Sequence, residues 1–133
     1  MRIYSSDGEK IIQINSSVWL AAVSTVVNCL GKRIKFMPKA KLFIETFDCK
    51  PEDGYIIARE INLIRDELSG FSPDKAIADI NNKKEKLPWG DNISPVITSC
   101  ANLFTTDDGK DLFYELVCIF VYSNINNVDI IVE

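Results

Sequence analysis

The chain has 133 residues and a mass of 15.0 kDa, which fits one domain that buries a core without disulfides or a metal. Hydrophobic residues make up 47% of it and charged residues 26%, which excludes disordered, collagen-like and membrane-protein compositions. The formal net charge of −4 does not attract phosphates, so we predict a single domain over residues 1–133 that does not bind nucleic acid directly.

The chain start and the cysteine spacing indicate a cytoplasmic protein. The first ten residues have no apolar segment typical of a secretory signal, and no stretch reaches the roughly 18 apolar residues of a membrane span. The four cysteines are widely separated and include no Cys-x-x-Cys pair. We therefore expect reduced core thiols and no contact with a membrane.

The first elements in chain order are a β-hairpin and a helix. Two β-branched segments, residues 2–4 and 10–14, flank a Gly-containing turn at residues 7–8 and predict the hairpin. Apolar residues recur at helical spacing over residues 16–30, with polar cap residues before them and Gly31 after them. This pattern predicts a core helix, whose tryptophan is structural.

The middle of the chain gives weaker signals around one clear helix. Residues 34–37 favour a short strand, and residues 40–47 are compatible with a helix or an extended segment. The apolar stripe of residues 53–68 predicts a second long helix. A Ser-Pro-Asp start then predicts a short helix over residues 73–81.

The last third of the chain predicts two further helices and a strand. After a polar connection at residues 82–88, the pair Ser94-Pro95 predicts a helix start. The inward-facing residues of that helix are expected to be Val96, Ile97, Cys100 and Leu103. Residues 110–124 form a widely apolar helix, and residues 128–132 form a buried strand. We predict an α+β fold in which the hairpin and this last strand form a small sheet covered by about five helices.

Charged residues cluster at three places on the predicted surface. Residues 32–41 form a basic block around Phe36, which we interpret as a solvated face. Of the two acidic groups, one consists of Asp48, Glu52 and Asp53, and the other of Asp107, Asp108 and Asp111. Each acidic group is either a solvated helix start or a contact for a basic surface on a partner.

The sequence lacks the residues of most catalytic sites. It contains no histidine, the commonest general base near neutral pH and a frequent zinc ligand, and no Gly-rich phosphate loop. We predict a protein that is not an enzyme and has no catalytic, cofactor-binding or metal-binding residues. A carboxylate-dependent hydrolase stays open as an alternative, with Asp91 or the second acidic group as its acids.

Trp89 occupies a polar loop together with Asp91 and Asn92. A tryptophan in such a loop either covers the core or anchors an interface, and both interpretations stay open.

Three short segments resemble a known family: residues 31–36 (GKRIKF), 88–94 (PWGDNIS) and 111–113 (DLF). They are similar to the immunity protein 70 family, encoded beside polymorphic toxins such as contact-dependent growth inhibition effectors, and the resemblance covers nearly the whole chain. It implies a cytoplasmic protein that binds the C-terminal toxin domain of its own system and neutralises it without covalent chemistry. Many such toxins are nucleases, whose basic clefts attract carboxylates.

We combine these observations into one hypothesis, a toxin-binding immunity protein. We predict that its partner-binding residues are Trp89, Asp91, Asn92, Asp107, Asp108 and Asp111. A cytoplasmic adaptor that binds a protein unrelated to toxins is the alternative that the same surface chemistry permits. The sequence predicts no oligomeric state.

Overall fold

The computed structural model describes residues 1–133 as three strands, four α-helices and three short 3₁₀ helices. The strands are β1 (Arg2–Ser5), β2 (Ile11–Gln13) and β3 (Ile130–Val132). The α-helices are α1 (Ser16–Leu30), α2 (Pro38–Thr46), α3 (Gly54–Leu68) and α4 (Leu112–Asn126). The 3₁₀ helices span Gly31–Phe36, Pro51–Asp53 and Pro73–Lys75. None of the helices combines the length and the apolar character needed to span a bilayer.

The three strands form one antiparallel sheet in the order β2-β1-β3. Ile3 pairs with Ile12 on one side and with Val132 on the other, and all three side chains point toward the core. The next residue, Tyr4, pairs with Ile11 and Ile131 and therefore places all three on the opposite, outer face. This arrangement confirms the predicted α+β fold, with a sheet formed by the hairpin and the last strand.

Helix α1 has the capping residues that its sequence indicates. The side chain of Asn15 accepts a hydrogen bond from the backbone N–H of Ser17, and Gly31 ends the helix at a φ of +55°. Within the helix, Trp19 is buried and its ring packs edge-on against Phe43 of α2 at a centroid distance of 6.3 Å. Trp19 therefore has the structural role expected for it.

Helices α3 and α4 pack against each other in antiparallel directions. Gly54 begins α3 so close to α4 that a Cβ built on it would lie 2.4 Å from the carbonyl oxygen of Phe120. Near the other end of α3, Arg65 pairs with Asp111 immediately before α4. Helix α4 also contacts all three strands, so it lies between α3 and the sheet.

The backbone conformation between α1 and α3 tests two predictions, one for residues 34–37 and one for residues 40–47. Residues 34–37 are not a strand: the 3₁₀ helix Gly31–Phe36 covers the first three of them, and the N–H of Met37 closes it by a hydrogen bond to the carbonyl of Ile34. A strand there would also lack a neighbour, because the sheet has only three members. Pro38 then starts α2, so the helical alternative for residues 40–47 is the one that the chain adopts.

The helix predicted over residues 73–81 is wrong beyond its first turn. Only Pro73–Lys75 is helical, and the chain then extends along α1. There Thr25 Oγ1 accepts from the N–H of Ile77 and donates to its carbonyl, while Ser24 Oγ accepts from the N–H of Ile80. Hydroxyl groups of α1 thus replace the hydrogen bonds that a helix would have formed internally.

The helix predicted after Pro95 is also wrong, and the number of α-helices is four instead of about five. The side chain of Asn102 accepts from the N–H groups of Thr98 and Ser99 and donates to the carbonyl of Val96, which fixes an irregular loop. Val96 is exposed in this loop and does not face inward, while Ile97 is half-buried. Cys100 and Leu103 are buried as predicted.

The cysteines form no disulfides, as expected. Cys100 is buried, and burial raises the pKa of its thiol to about 12. Burial also raises the pKa of the Cys49 thiol, to about 11. Both thiols are therefore protonated at neutral pH and poorly nucleophilic.

Candidate functional site

The second acidic group lies on a tight turn, residues 105–111, that joins the irregular segment before it to α4. We call it the acidic turn. Thr105 and Asp111 pair in an isolated bridge at its base, and the N–H of Thr106 donates to the carbonyl of Lys110 at 2.8 Å. The N–H of Asp107 donates to the carbonyl of Gln13 at 2.9 Å. The turn is therefore fixed against the edge of β2.

The three aspartates of this turn have different environments. Asp111 caps α4 by accepting the N–H of Tyr114 at 3.1 Å, and its other oxygen contacts Arg65 at 3.1 Å. Asp108 accepts the hydroxyl of Thr106, and this hydrogen bond holds the pKa of its carboxyl below the usual value. The carboxylate of Asp107 is exposed and has no hydrogen bond or ion pair. Asp111 is thus part of the fold, whereas Asp107 and Asp108 face solvent.

Asp107 and Asp108 form one wall of an open groove beside β2. The groove has a volume of about 370 Å³ and is otherwise lined by Ile11 and Gln13. No set of side chains in the chain is arranged to hold a metal ion. A hydrolase with two carboxyl groups needs one whose pKa is raised, and the pKa of Asp108 is shifted in the opposite direction. Its two carboxylates suit the open groove to binding a cationic group.

Trp89 packs against the base of the same turn. Its ring lies edge-on to Phe104 at a centroid distance of 5.7 Å, and Phe104 in turn contacts Phe113 of α4 at 6.1 Å. The indole Nε1 of Trp89 is buried and has no hydrogen-bond partner. The tryptophan covers the core, and because its side chain is only half-buried the interface interpretation also stays open.

Asp91 and Asn92 lie on the exposed part of the Trp89 loop. Gly90 makes the preceding turn at a φ of +67°, a conformation that favours glycine. The side chains of Asp91 and Asn92 are exposed and form no hydrogen bond or ion pair. The structure thus places the three aspartates of the turn together and connects Trp89 to them through Phe104. No hydrogen bond or ion pair joins Asp91 or Asn92 to the turn.

The other charged clusters are partly paired within the chain. Within the basic block, Lys39 pairs with Asp53 at 3.3 Å, Arg33 with Glu67 and Lys41 with Glu45. Asp53 belongs to the first acidic group, so the two clusters partly neutralise each other. Phe36 is 69% exposed beneath the ammonium of Lys35. The interpretation of residues 32–41 as a solvated face agrees with these contacts.

An apolar row on the outer face of the sheet was missed by sequence reasoning. Ile11, Tyr4 and Ile131 lie side by side across the three strands, and no helix covers that face at Ile11, which is 52% exposed. The row begins beside Asp107 and ends at β3. Strict alternation in the strands would have placed these residues on one face, but alternation alone does not tell which face the helices cover.

The comparisons with known proteins give one match. A family model described as immunity protein 70 matches residues 12–132. The matched range includes the Trp89 loop, the acidic turn and β3. No curated protein and no solved structure matches the chain.

Proposed function

Since the chain belongs to the immunity protein 70 family, we propose that it binds a toxin domain encoded beside it and neutralises that domain without catalysing a reaction. The observation that carries this proposal is the family match over residues 12–132, nearly the whole chain. The toxin is proposed to be the C-terminal domain of a polymorphic toxin of the contact-dependent inhibition type. The complex forms in the cytoplasm, where such a toxin acts.

The proposed partner surface centres on the acidic turn and the Trp89 loop. Asp107 and Asp108 present carboxylates to solvent at a turn that is fixed to β2, so little conformational entropy is lost on binding. Asp91 and Asn92 add free polar groups, and the half-buried Trp89 adds an aromatic side chain. The sixth predicted residue, Asp111, supports the turn from behind through Arg65 and α4.

The electrostatics favour a basic partner. The chain carries a net charge of −4, and much of the basic block is paired with internal acids. Asp107, in contrast, keeps an unpaired charge at an exposed position. A nuclease active-site cleft is positively charged because it binds phosphates, so it attracts such carboxylates and is covered by the protein that carries them. Non-covalent occlusion of a nuclease cleft is therefore the inhibition that we propose.

The length and the lack of regular structure of the segment before α4 agree with a binding role. Between the 3₁₀ helix that ends at Lys75 and the start of α4, the chain has no helix or extended strand. Long segments of this kind in a small domain are uncommon and are frequently binding loops. This one is held to α1 by Ser24 and Thr25 and so presents a defined surface.

The experiment that tests the proposal is co-purification of this protein with the C-terminal domain of the large protein encoded next to it, followed by a growth-rescue assay. A stable complex and rescue of cells that express the toxin domain are expected. With both proteins folded, absence of a complex and of rescue would contradict the proposal and leave the adaptor alternative.

A charge-reversal pair locates the surface in the same assay. Asp107→Lys is expected to weaken the complex, because it removes a free carboxylate and places a cation beside the groove. Asp48→Lys changes the charge by the same amount at an exposed position in the other acidic group and serves as the matched control. Equal weakening by both variants would indicate a general charge effect and contradict the assignment to the acidic turn.

A further inference from the structure

The sheet has two edges, and another part of the chain bonds to only one of them, at a single carbonyl. At the β2 edge, the carbonyl of Gln13 is occupied by the N–H of Asp107. At the β3 edge, every second residue bonds to β1 through its backbone. The residues between them direct their backbone N–H and C=O groups away from β1. Arg2 exchanges hydrogen bonds with Glu133 at 2.7 and 2.9 Å, and Ser6 donates to Asp129 at 2.8 Å.

This alternation leaves the backbone of Ile130 and Val132 free. In an antiparallel pair, every second residue directs its N–H and C=O to the neighbour, so Asp129, Ile131 and Glu133 face β1. The N–H and C=O groups of Ile130 and Val132 point to the opposite side, where no backbone or side-chain group of the chain bonds to them. An edge of this kind is a template for one more strand.

The side chains along this edge indicate what kind of strand fits. Asp129, Ile131 and Glu133 share the outer face and present an acidic, an apolar and an acidic group in turn. The carboxylate of Asp129 has no ion pair, and that of Glu133 contacts Arg2 at 2.5 Å. The complementary strand carries an apolar residue at its centre with lysine or arginine two positions to either side.

A second copy of the chain does not meet this requirement. If two copies of β3 paired antiparallel about Ile131, Asp129 of one would lie opposite Glu133 of the other. Like charges directly opposite each other destabilise a sheet. The edge therefore favours a basic strand from a different protein over self-association.

We propose that the open edge of β3 accepts an extended basic segment of the toxin domain as a fourth strand of the sheet. This inference rests on the proposed function and adds to it a binding mode and a segment chemistry. Backbone hydrogen bonds to Ile130 and Val132 supply affinity, and the charges at Asp129 and Glu133 select the register.

The edge and the acidic turn are compatible with one continuous interface. Ile11, beside Asp107, and Ile131 are separated by β1, which corresponds to two strand spacings or roughly 10 Å. Tyr4, half-buried beneath the guanidinium of Arg2, lies between them on the same face. A toxin domain that adds a strand to β3 and also contacts Asp107 therefore covers the row of Ile11, Tyr4 and Ile131.

Residue-resolved amide hydrogen exchange of the full chain, free and bound to the toxin domain, tests the proposal. In the free protein, the amide of Ile131 is protected by β1, while those of Ile130 and Val132 exchange fast. In the complex, the amides of Ile130 and Val132 are expected to slow by about 100-fold or more, because they gain strand hydrogen bonds. The amide of Ile61, inside α3 and outside the proposed interface, provides the internal reference.

A variant pair gives an independent readout. Asp129→Lys is expected to raise the Kd of the complex about tenfold, which corresponds to one lost charge pair. Asp66→Lys, at an exposed position near the far end of α3, is the matched control and is expected to leave the Kd unchanged. Thermal unfolding of the free variants verifies that both retain the fold.

The outcomes separate this inference from the proposed function. Slowed exchange at Ile130 and Val132 with weakening by Asp129→Lys supports strand addition. A tight complex in which both amides still exchange fast overturns strand addition and leaves the toxin-binding function intact. Absence of any complex overturns both.

Discussion

The carboxylate of Glu60 on α3 accepts hydrogen bonds from the backbone N–H groups of Lys39 and Ala40, at 2.7 and 3.1 Å, in the first turn of α2. The cap residue of α2, Met37, offers no side-chain hydrogen bond, so the cap comes from a different helix. Glu60 is only 7% exposed. A buried charge thus stabilises the start of α2 and fixes it against α3.

Replacing Glu60 with alanine is expected to lower the free energy of unfolding by about 3 kcal/mol, because two backbone donors lose a charged acceptor in a buried position. Urea denaturation measures the change. Glu67→Ala is the control on the same helix: its pair with Arg33 is exposed, so the loss is expected to stay below about 1 kcal/mol. A loss for Glu60→Ala as small as that for Glu67→Ala would show that the interhelical cap contributes little to stability.

The close approach of α3 and α4 gives a second prediction. Gly54→Ala is expected to destabilise the fold by about 2–3 kcal/mol, since a Cβ would lie 2.4 Å from the backbone oxygen of Phe120 and one of the helices must move. Gly70→Ala is the matched control, because a Cβ there meets its nearest atom at an ordinary 3.5 Å. Thermal unfolding of both variants decides whether the small side chain or the loss of glycine flexibility matters.

The hydrogen bond from Tyr122 to Asp7, 2.6 Å long, predicts a pH dependence. It holds the pKa of Asp7 below the ordinary 3.8 and raises the pKa of Tyr122 from 10.0 to about 12. Asp7 therefore contributes stability above pH 3.8 that is lost as the pH falls through its lowered pKa. Tyr122 contributes stability below pH 10.0 that is lost as the pH rises toward 12.

In the Asp7→Asn variant, the pKa of Tyr122 is expected to fall toward 10.0, which NMR titration of ¹³C-labelled tyrosine measures. Glu9→Gln is the control: Glu9 acts on Tyr122 only through its charge, as the weakest of the causes that raise this pKa. Because the amide oxygen of asparagine can still accept the hydroxyl, a Tyr122 pKa that stays near 12 in Asp7→Asn would mean that the charge of Asp7 does not set it.

Substitutions of the aspartates in the acidic turn are expected to have two different effects: some lower stability and others weaken toxin binding. Asp111→Ala should lower the free energy of unfolding by about 1–2 kcal/mol, because it removes the cap of α4 and the pair with Arg65. Asp107→Ala should change it by less than about 0.5 kcal/mol, since its carboxylate has no partner. The toxin association rate should show the reverse order, falling more for Asp107→Ala. Stopped-flow binding and urea unfolding of the two variants together test this division.

The sequence predicts the long elements because their own residues determine them. Helices α1, α3 and α4 have continuous apolar stripes, and the strands have β-branched residues on both sides of a turn. The predicted short helices fail for the opposite reason. Ser-Pro starts a helix and a turn equally well, and side chains distant in sequence or in the loop itself, such as Thr25 and Asn102, decide between them.

The candidate site is predictable only in part. Polar residues next to a helix start indicate the acidic turn, but they do not tell which aspartate caps α4 and which is free. That difference depends on Arg65, 46 positions earlier in the chain. The cap that Glu60 provides and the open edge of β3 depend likewise on contacts between distant segments, and so no local pattern indicates them.

The pairing of Ile3 with Val132 has a kinetic consequence. Until that contact forms, β1 and β2 are an isolated hairpin, which is marginal in water. Strand β3, which stabilises the hairpin, is separated from β1 by almost the whole chain. Bringing the two strands together therefore costs chain entropy before their pairing lowers the free energy. Sheet completion is therefore expected to be a late and slow event in folding, after the α3–α4 pair has brought the two distant segments into reach.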